Sequence, residues 1–269
     1  MSVTTGDASA TSGTQSIQRA ALLLRLLTAH HRTGLRLVEL YRQAELERPT
    51  AHRILQGLIA ERLVMQDQVS KRYYLGPLVY EMGLAASARS QLRDICHGHL
   101  RELAEASTDT VFLTARSGLD GVCLDRAEGA FPIKVFVLEV GRRRPLGAGG
   151  GAMAILSAMA AAESERILQS NAARLRDRFP RYDEDTARSV IVRGRGLGHV
   201  IYDVLEVPGI RTVAMPIVDS AGQSVAALSI ATMAQRLQPD RVAELLPTMR
   251  GAGVAIREEL AAQPPVDVG

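Results

Sequence analysis

Residues 145–156 read PLGAGGGAMAIL, and how they are read decides the fold. Gly147, Gly149 and Ala152 satisfy a G-x-G-x-x-A pattern, which in a doubly wound parallel sheet holds a dinucleotide pyrophosphate at a helix start. That reading needs a strand running straight into the glycines and an acidic residue about 20 positions on, ending the next strand. Here the candidate strand Ile133–Val140 is separated from the glycines by Gly141-Arg142-Arg143-Arg144-Pro145. The acids downstream, Glu163 and Glu165, fall in a helical stretch. No cofactor is expected. Two other uses of glycine stay open: close helix–sheet packing, and close approach of backbone to a ligand. A helix start also offers free N–H groups that favour an anion.

Outward from the loop, the pattern is that of an antiparallel α+β domain. VFLTAR, GVCLDRA and IKVFVLEV (residues 111–116, 121–127 and 133–140) are β-rich runs broken by Gly and Pro. An Ala/Met/Leu helix follows over Ala152–Ala162, then a charged helical stretch ending near Phe179-Pro180. RTVAMPIVD and SVAALSIAT, joined by Ser220-Ala221-Gly222-Gln223, read as two further strands, and Asp240–Leu260 as a last helix. Sequential strands with Gly turns, all on one side of the helices, imply an antiparallel sheet.

The N-terminal third is organised differently. Ile17, Ala20, Ala21, Leu24 and Leu27 recur at helical spacing, with Ser16 as a candidate N-cap. Leu37, Leu40, Tyr41 and Ala44 mark a second helix, and Ala51, Ile54, Leu55 and Leu58 a third. LVMQDQVSKRYYL (residues 63–75) then reads as a β-hairpin with a polar turn. Opposite its apolar stripe, the third helix presents Pro49, His52, Arg53 and Gln56, with Arg48 and Thr50 near its start. Arg, Gln and Thr can read base edges in the major groove. Lys71 and Arg72 near the hairpin tip can meet phosphates. Three short helices followed by a basic hairpin is a winged helix-turn-helix plan. A three-helix protein-interaction domain is the alternative.

The charge balance is compatible with such a partner. The chain carries 32 Lys+Arg and 29 Asp+Glu, for a net +3. By count from the sequence, residues 1–80 hold ten basic and six acidic residues, so the positive excess lies in that part of the chain. Of 269 residues 46% are apolar, enough to build a core in each of two domains. No run approaches the roughly 20 apolar residues of a membrane span. The first fifteen residues lack the basic start and apolar stretch of a signal peptide and read as a disordered tail. Two cysteines cannot build a disulfide framework, so a cytoplasmic protein is expected.

Taken in order, SIQRAALLLRLL, RPTAHRILQGLIAERLV, KRYYLGPLVYEMG, VGRRRPLGAGGGAMAIL and PGIRTVAMPIVDSAGQSVAALSIA resemble segments of the IclR family of bacterial transcription regulators. Thr50-Ala51-His52-Arg53-Ile54 and Tyr73-Tyr74-Leu75-Gly76 are similar to the family's recognition-helix core and wing end. The resemblance spans nearly the whole chain. It implies a tail (1–14), a winged helix-turn-helix (15–76), a linker helix (77–94), a GAF-like effector domain with an antiparallel sheet (95–262) and a second tail (263–269). It implies a homodimer or dimer of dimers on palindromic double-stranded operator DNA, answering to a small organic or aromatic acid. DNA contacts carry over to Arg48, Thr50, His52, Arg53, Gln56, Lys71 and Arg72. The chain departs from the family pattern at Pro49, Gly147, Met153, Thr212 and Ala231. A borrowed effector is therefore unsafe.

With that resemblance, the glycine loop reads as an effector site: Gly149, Gly150 and Gly151 offer backbone N–H groups to a carboxylate, while Thr212 and Ser229 add hydroxyls. Other candidates are weaker. Cys96-His97-Gly98-His99 looks metal-like, but neighbouring side chains on a helix diverge by about 100°. Arg142-Arg143-Arg144 could bind an acid or nucleic acid, but a solvated β-to-loop charge run is the first reading. A small-molecule enzyme built on the second domain is the alternative function; it would need a titratable pair in the pocket, and no catalytic residue or metal ligand is expected.

Overall fold

The computed structural model describes residues 10–87 and 92–262. The chain divides into two compact units, residues 1–89 and 90–269.

In the first unit, α1 (Ala10–Ala29), α2 (Leu37–Gln43) and α3 (Arg48–Ala60) surround one core. Leu23, Leu27, Leu40 and Leu55 are fully buried there, joined by Tyr73 from the hairpin. The stripe at positions 51, 55 and 58 turns inward, which leaves His52, Arg53 and Gln56 outside. Pro49 lies in the first turn of α3, where its missing N–H costs nothing. The hairpin forms from β2 (Val64–Gln66) and β3 (Arg72–Leu75), paired Val64 to Leu75. A strand not anticipated, β1 (Leu35–Arg36), adds to the other edge, giving the order β1-β3-β2. Two residues are too short to carry a period-2 signal. Helix α1 begins at Ala10, so Ser16 lies within it rather than capping it. No proline interrupts residues 10–16, and the helix propagates back through the small residues expected to belong to the tail. Residues 1–9 of that expected tail lie outside the described residues, as does 263–269.

Helix α4 (Pro77–Ser87) opens the expected linker, and α5 (Leu92–Ser107) carries its end. Positions 88–91 lie outside the described residues.

The second unit is built on six antiparallel strands in the order β6-β5-β4-β9-β8-β7. They are β4 (Thr110–Ser117), β5 (Asp120–Glu128), β6 (Arg143–Pro145), β7 (Val200–Asp203), β8 (Ile210–Val218) and β9 (Ser224–Met233). The α+β class with an antiparallel sheet thus holds, but helices cover both of its faces rather than one. Helix α5 and α9 (Pro239–Ala261) bury Leu100, Leu103, Leu245 and Met249 against Val111, Leu113, Leu228 and Ile230. On the other face lie α6 (Gly150–Ala158), α7 (Ala161–Arg178) and α8 (Glu184–Leu197), with Met153, Ile155, Leu168, Leu175 and Ile191. Alternation along β9 feeds both layers: Ala226, Leu228 and Ile230 face one and Ala227 the other.

Two strand expectations change. Ile133–Val140 is not a strand. Between Pro132 and Gly141, Val135 turns inward, while Ile133 and Phe136 stay exposed. The Val135 N–H donates to the Thr110 hydroxyl instead of joining a ladder. The edge strand is β6, drawn from the arginine run expected to be solvated; Arg143 lies opposite Val122, and Arg144 opposite Gly121. The other unanticipated strand is β7, whose alternation is only four residues long.

Candidate nucleic-acid interface and ligand cavity

Arg48, His52, Arg53 and Gln56 are exposed on α3, and Thr50 is half-buried beside them. These side chains fall on one face because the opposite stripe is anchored in the core. The hairpin turn is held by Asp67, whose carboxylate accepts from the Ser70 N–H at 2.7 Å and the Ser70 hydroxyl at 2.6 Å. Those bonds hold the Asp67 carboxyl below its ordinary pKa. The turn leaves Val69 and Lys71 exposed. Arg72 is differently placed. Its guanidinium donates to the Thr33 and Gly34 carbonyls at 3.3 and 2.9 Å and lies 3.5 Å from the Glu39 carboxylate. It fastens the hairpin to the turn before β1, so fewer of its donors are left for a phosphate.

Arg48, His52 and Lys71 share an open groove with Arg36, Tyr41 and Gln66. None of the last three was singled out from the sequence as a contact residue. Arg36 is a β1 residue at the entry to α2, and Gln66 ends β2; both are brought alongside α3 by the small sheet, whose β1 edge sequence reasoning missed.

In the second unit, Gly149, Gly150, Gly151, Thr212 and Ser229 line one small cavity. Sheet register explains the meeting. Thr212 lies opposite Ala231 and Ser229 opposite Ala214, and both hydroxyl residues face α6 across the sheet. The glycines have separate causes. Gly149, at the N-cap of α6, has φ of 88°, which a side chain disfavours. Gly150 and Gly151 satisfy the packing reading: a Cβ on Gly150 would lie 2.1 Å from the Thr212 hydroxyl oxygen, and one on Gly151 2.7 Å from that of Thr114. Close approach to the sheet does not use up the helix start, whose first N–H groups have no intrahelical acceptor. The Thr212 hydroxyl donates to the Tyr202 carbonyl at 2.9 Å and keeps acceptor capacity.

Phe112, Val137 and Ala231 make apolar walls. The cation in the cavity is Arg144, its side chain only 6% exposed. Burial lowers its pKa to about 10, the Glu206 carboxylate opposing that shift. The run as a whole could bind an acid, but Arg144 was not singled out, because three consecutive arginines read first as solvent-exposed. The signal available was the period of two that places Arg144 opposite in sense to Arg143, whose guanidinium goes to Asp120 and Ser117. Thr114 was also missed.

Cys96, His97 and His99 go separate ways. Cys96 is buried, and burial raises its thiol pKa to about 12. His97 Nδ1 lies 2.8 Å from Asp125, and His99 Nε2 lies 2.8 Å from Glu259. No helix among the described residues is long and apolar enough to cross a membrane.

Comparison with known proteins bears on both units. Residues 16–68 match the family model described as the IclR helix-turn-helix domain. Residues 84–258 match that described as the C-terminal part of the bacterial transcriptional regulator IclR. The chain is 27% identical to the transcriptional regulator BhcR of Paracoccus denitrificans over 87% of its own length and 82% of that protein's. It is 26% identical to the transcriptional repressor AllR of Salmonella typhi over 97% and 95% of the two chains. Among solved structures, an IclR homologue from Microbacterium hydrocarbonoxydans in complex with 4-hydroxybenzoate superposes with a TM-score of 0.74 at 20% identity, covering 92% of this chain and 100% of that one. This last likeness concerns the fold alone.

Proposed function

The chain belongs to the IclR family of bacterial transcriptional regulators, and from that premise we propose that α3 and the hairpin read operator DNA while the α6 cavity binds a small organic acid that alters the reading. The relatives named above are transcriptional regulators.

One observation carries the proposal. A basic, exposed face on α3 and a cavity with a cationic and N–H-rich wall occur in separate compact units of one chain. In this reading His52, Arg53 and Gln56 meet base edges, with Arg53 suited to guanine and Gln56 to adenine. Arg48, Thr50 and Lys71 meet phosphate or sugar and set register without reading sequence. Arg72 acts mainly by fixing the hairpin. The regulator works as a homodimer or dimer of dimers, so that two recognition helices meet two half-sites of a palindrome. The acid places its carboxylate at the start of α6, near Gly149, Gly150 and Gly151, with Thr212 and Ser229 on its flank. It binds one arrangement of the protein better than another, and operator affinity shifts by that difference. The working compartment is the cytoplasm, where the operator is.

The test is operator binding by Arg53→Ala and Lys71→Ala. Arg53→Ala is expected to cost about 1–3 kcal/mol on the specific duplex and to relax base preference. Lys71→Ala is expected to weaken binding to all duplexes and to reduce the salt slope by about 0.9. Undiminished specific binding by Arg53→Ala contradicts the reading of α3.

A further inference from the structure

The cation that lines the cavity already has a carboxylate partner within the protein. The Arg144 Nη2 group donates to the Val137 carbonyl and pairs with Glu206 Oε1 at 2.9 Å. Its Nε is buried without a hydrogen-bond partner among the described residues. Nη1 lies 3.5 Å from the point a Cβ on Gly149 would occupy, so the guanidinium stands beside the helix start. Arg142 and Arg178 are near enough to oppose its charge. Glu206 acts on both Arg144 and Arg178; its side chain is 28% exposed and sits in the turn between β7 and β8. A buried guanidinium with an unmet donor is costly unless its pairing is completed.

We propose that Arg144 is the anchor for the effector's carboxylate and that Glu206 is a built-in competitor, which the incoming carboxylate displaces. This rests on the effector-cavity reading above. Guanidinium and helix start converge on one place, so the site takes one carboxylate group. The remaining walls carry no charge, being apolar at Phe112, Val137 and Ala231 and bearing only hydroxyls at Thr114, Thr212 and Ser229, so the rest of the ligand is uncharged. The class is a small monocarboxylic acid. A second carboxylate would meet uncharged wall and be disfavoured by desolvation. Displacement frees Glu206 and with it the turn that leads into the strand of Thr212, which gives ligand binding a mechanical consequence in the protein. An apparent affinity held down by an occupied anchor is the expected cost of such a device.

The test uses the full chain without DNA, so its result is independent of operator recognition. Acetate, benzoate and the neutral benzamide are titrated by calorimetry. Wild type is expected to prefer benzoate to benzamide. Glu206→Gln, which unmasks the anchor, is expected to bind both carboxylates roughly tenfold more tightly, with benzamide unchanged. Arg144→Met is expected to lose the preference for benzoate over benzamide. Should that variant fail to fold in a thermal melt, Arg144→Lys, which keeps charge but not the two-donor fork, is expected to lose most of it. Carboxylate preference intact in the folded Arg144 variant overturns the proposal. So does carboxylate binding by Glu206→Gln that is absent, unchanged or weaker than wild type. Loss of specific operator binding by wild type would strike the regulator reading instead.

Discussion

At the scale of single residues, the glycine loop shows how one residue type answers several demands at once. Gly149 supplies a left-handed N-cap, while Gly150 and Gly151 let α6 lie against β8 and β4. The second demand is stringent. Gly150→Ala would drive a methyl into the Thr212 side chain, and we expect a loss of about 1–3 kcal/mol in urea denaturation. Unchanged stability would mean that α6 can slide away from the sheet. The same geometry makes Gly151→Glu a poor probe of ligand charge, since any Cβ there meets Thr114. Arg144 is the better probe. Its burial was illegible in the sequence because which arginine of three turns inward is decided by pairing to β5, a contact across more than twenty residues. Thr212 and Ser229 were legible as a pair with the glycines only through family resemblance, since no local pattern links them.

Elements differ in how much of their reading is local. Helix α3 is specified by its own stripe, and the structure places the expected residues on the expected face. Its anchorage should be correspondingly sensitive: Leu55→Ala, at a fully buried position, is expected to cost about 2–5 kcal/mol. Paired thermal melts of the isolated variant and wild type would show it, and a change within error would contradict the packing described. Helix α8 is likewise marked by its start. Asp183 accepts from the Thr186 N–H at 2.7 Å, and hydrogen bonding from the Thr186 hydroxyl and N–H holds its pKa below the ordinary 3.8. The cap's contribution is therefore present above that value and is lost as pH falls through the lowered one. Asp183→Asn keeps a cap acceptor that does not titrate, so it should show a smaller acid-side loss of stability than wild type as pH falls below about 4. Equal acid profiles would contradict this. The short strands β1, β6 and β7 were hidden by length, because two to four residues carry no dependable alternation. Ile133–Val140 misled for the opposite reason: β-branched residues give strand propensity even where the flanking proline and glycine take the segment out of the sheet.

For the whole molecule, the division into a helical unit with a small wing and a larger α+β unit could be read from the change of period along the chain. The strand order could not. β4 pairs with β9 across more than a hundred residues, and nothing local announces that partner. The central claim also lives at this scale: the chain recognises a particular operator through α3, beyond a general attraction of its basic face to phosphate. The most direct measurement is fluorescence anisotropy of the full protein with labelled duplex from upstream of its own gene, against a scrambled duplex of equal composition, over a series of salt concentrations. The account predicts tighter binding to the natural duplex, with a preference that persists as salt weakens both, because base contacts do not depend on counterion release. Equal binding to both duplexes that collapses together with added salt would contradict it.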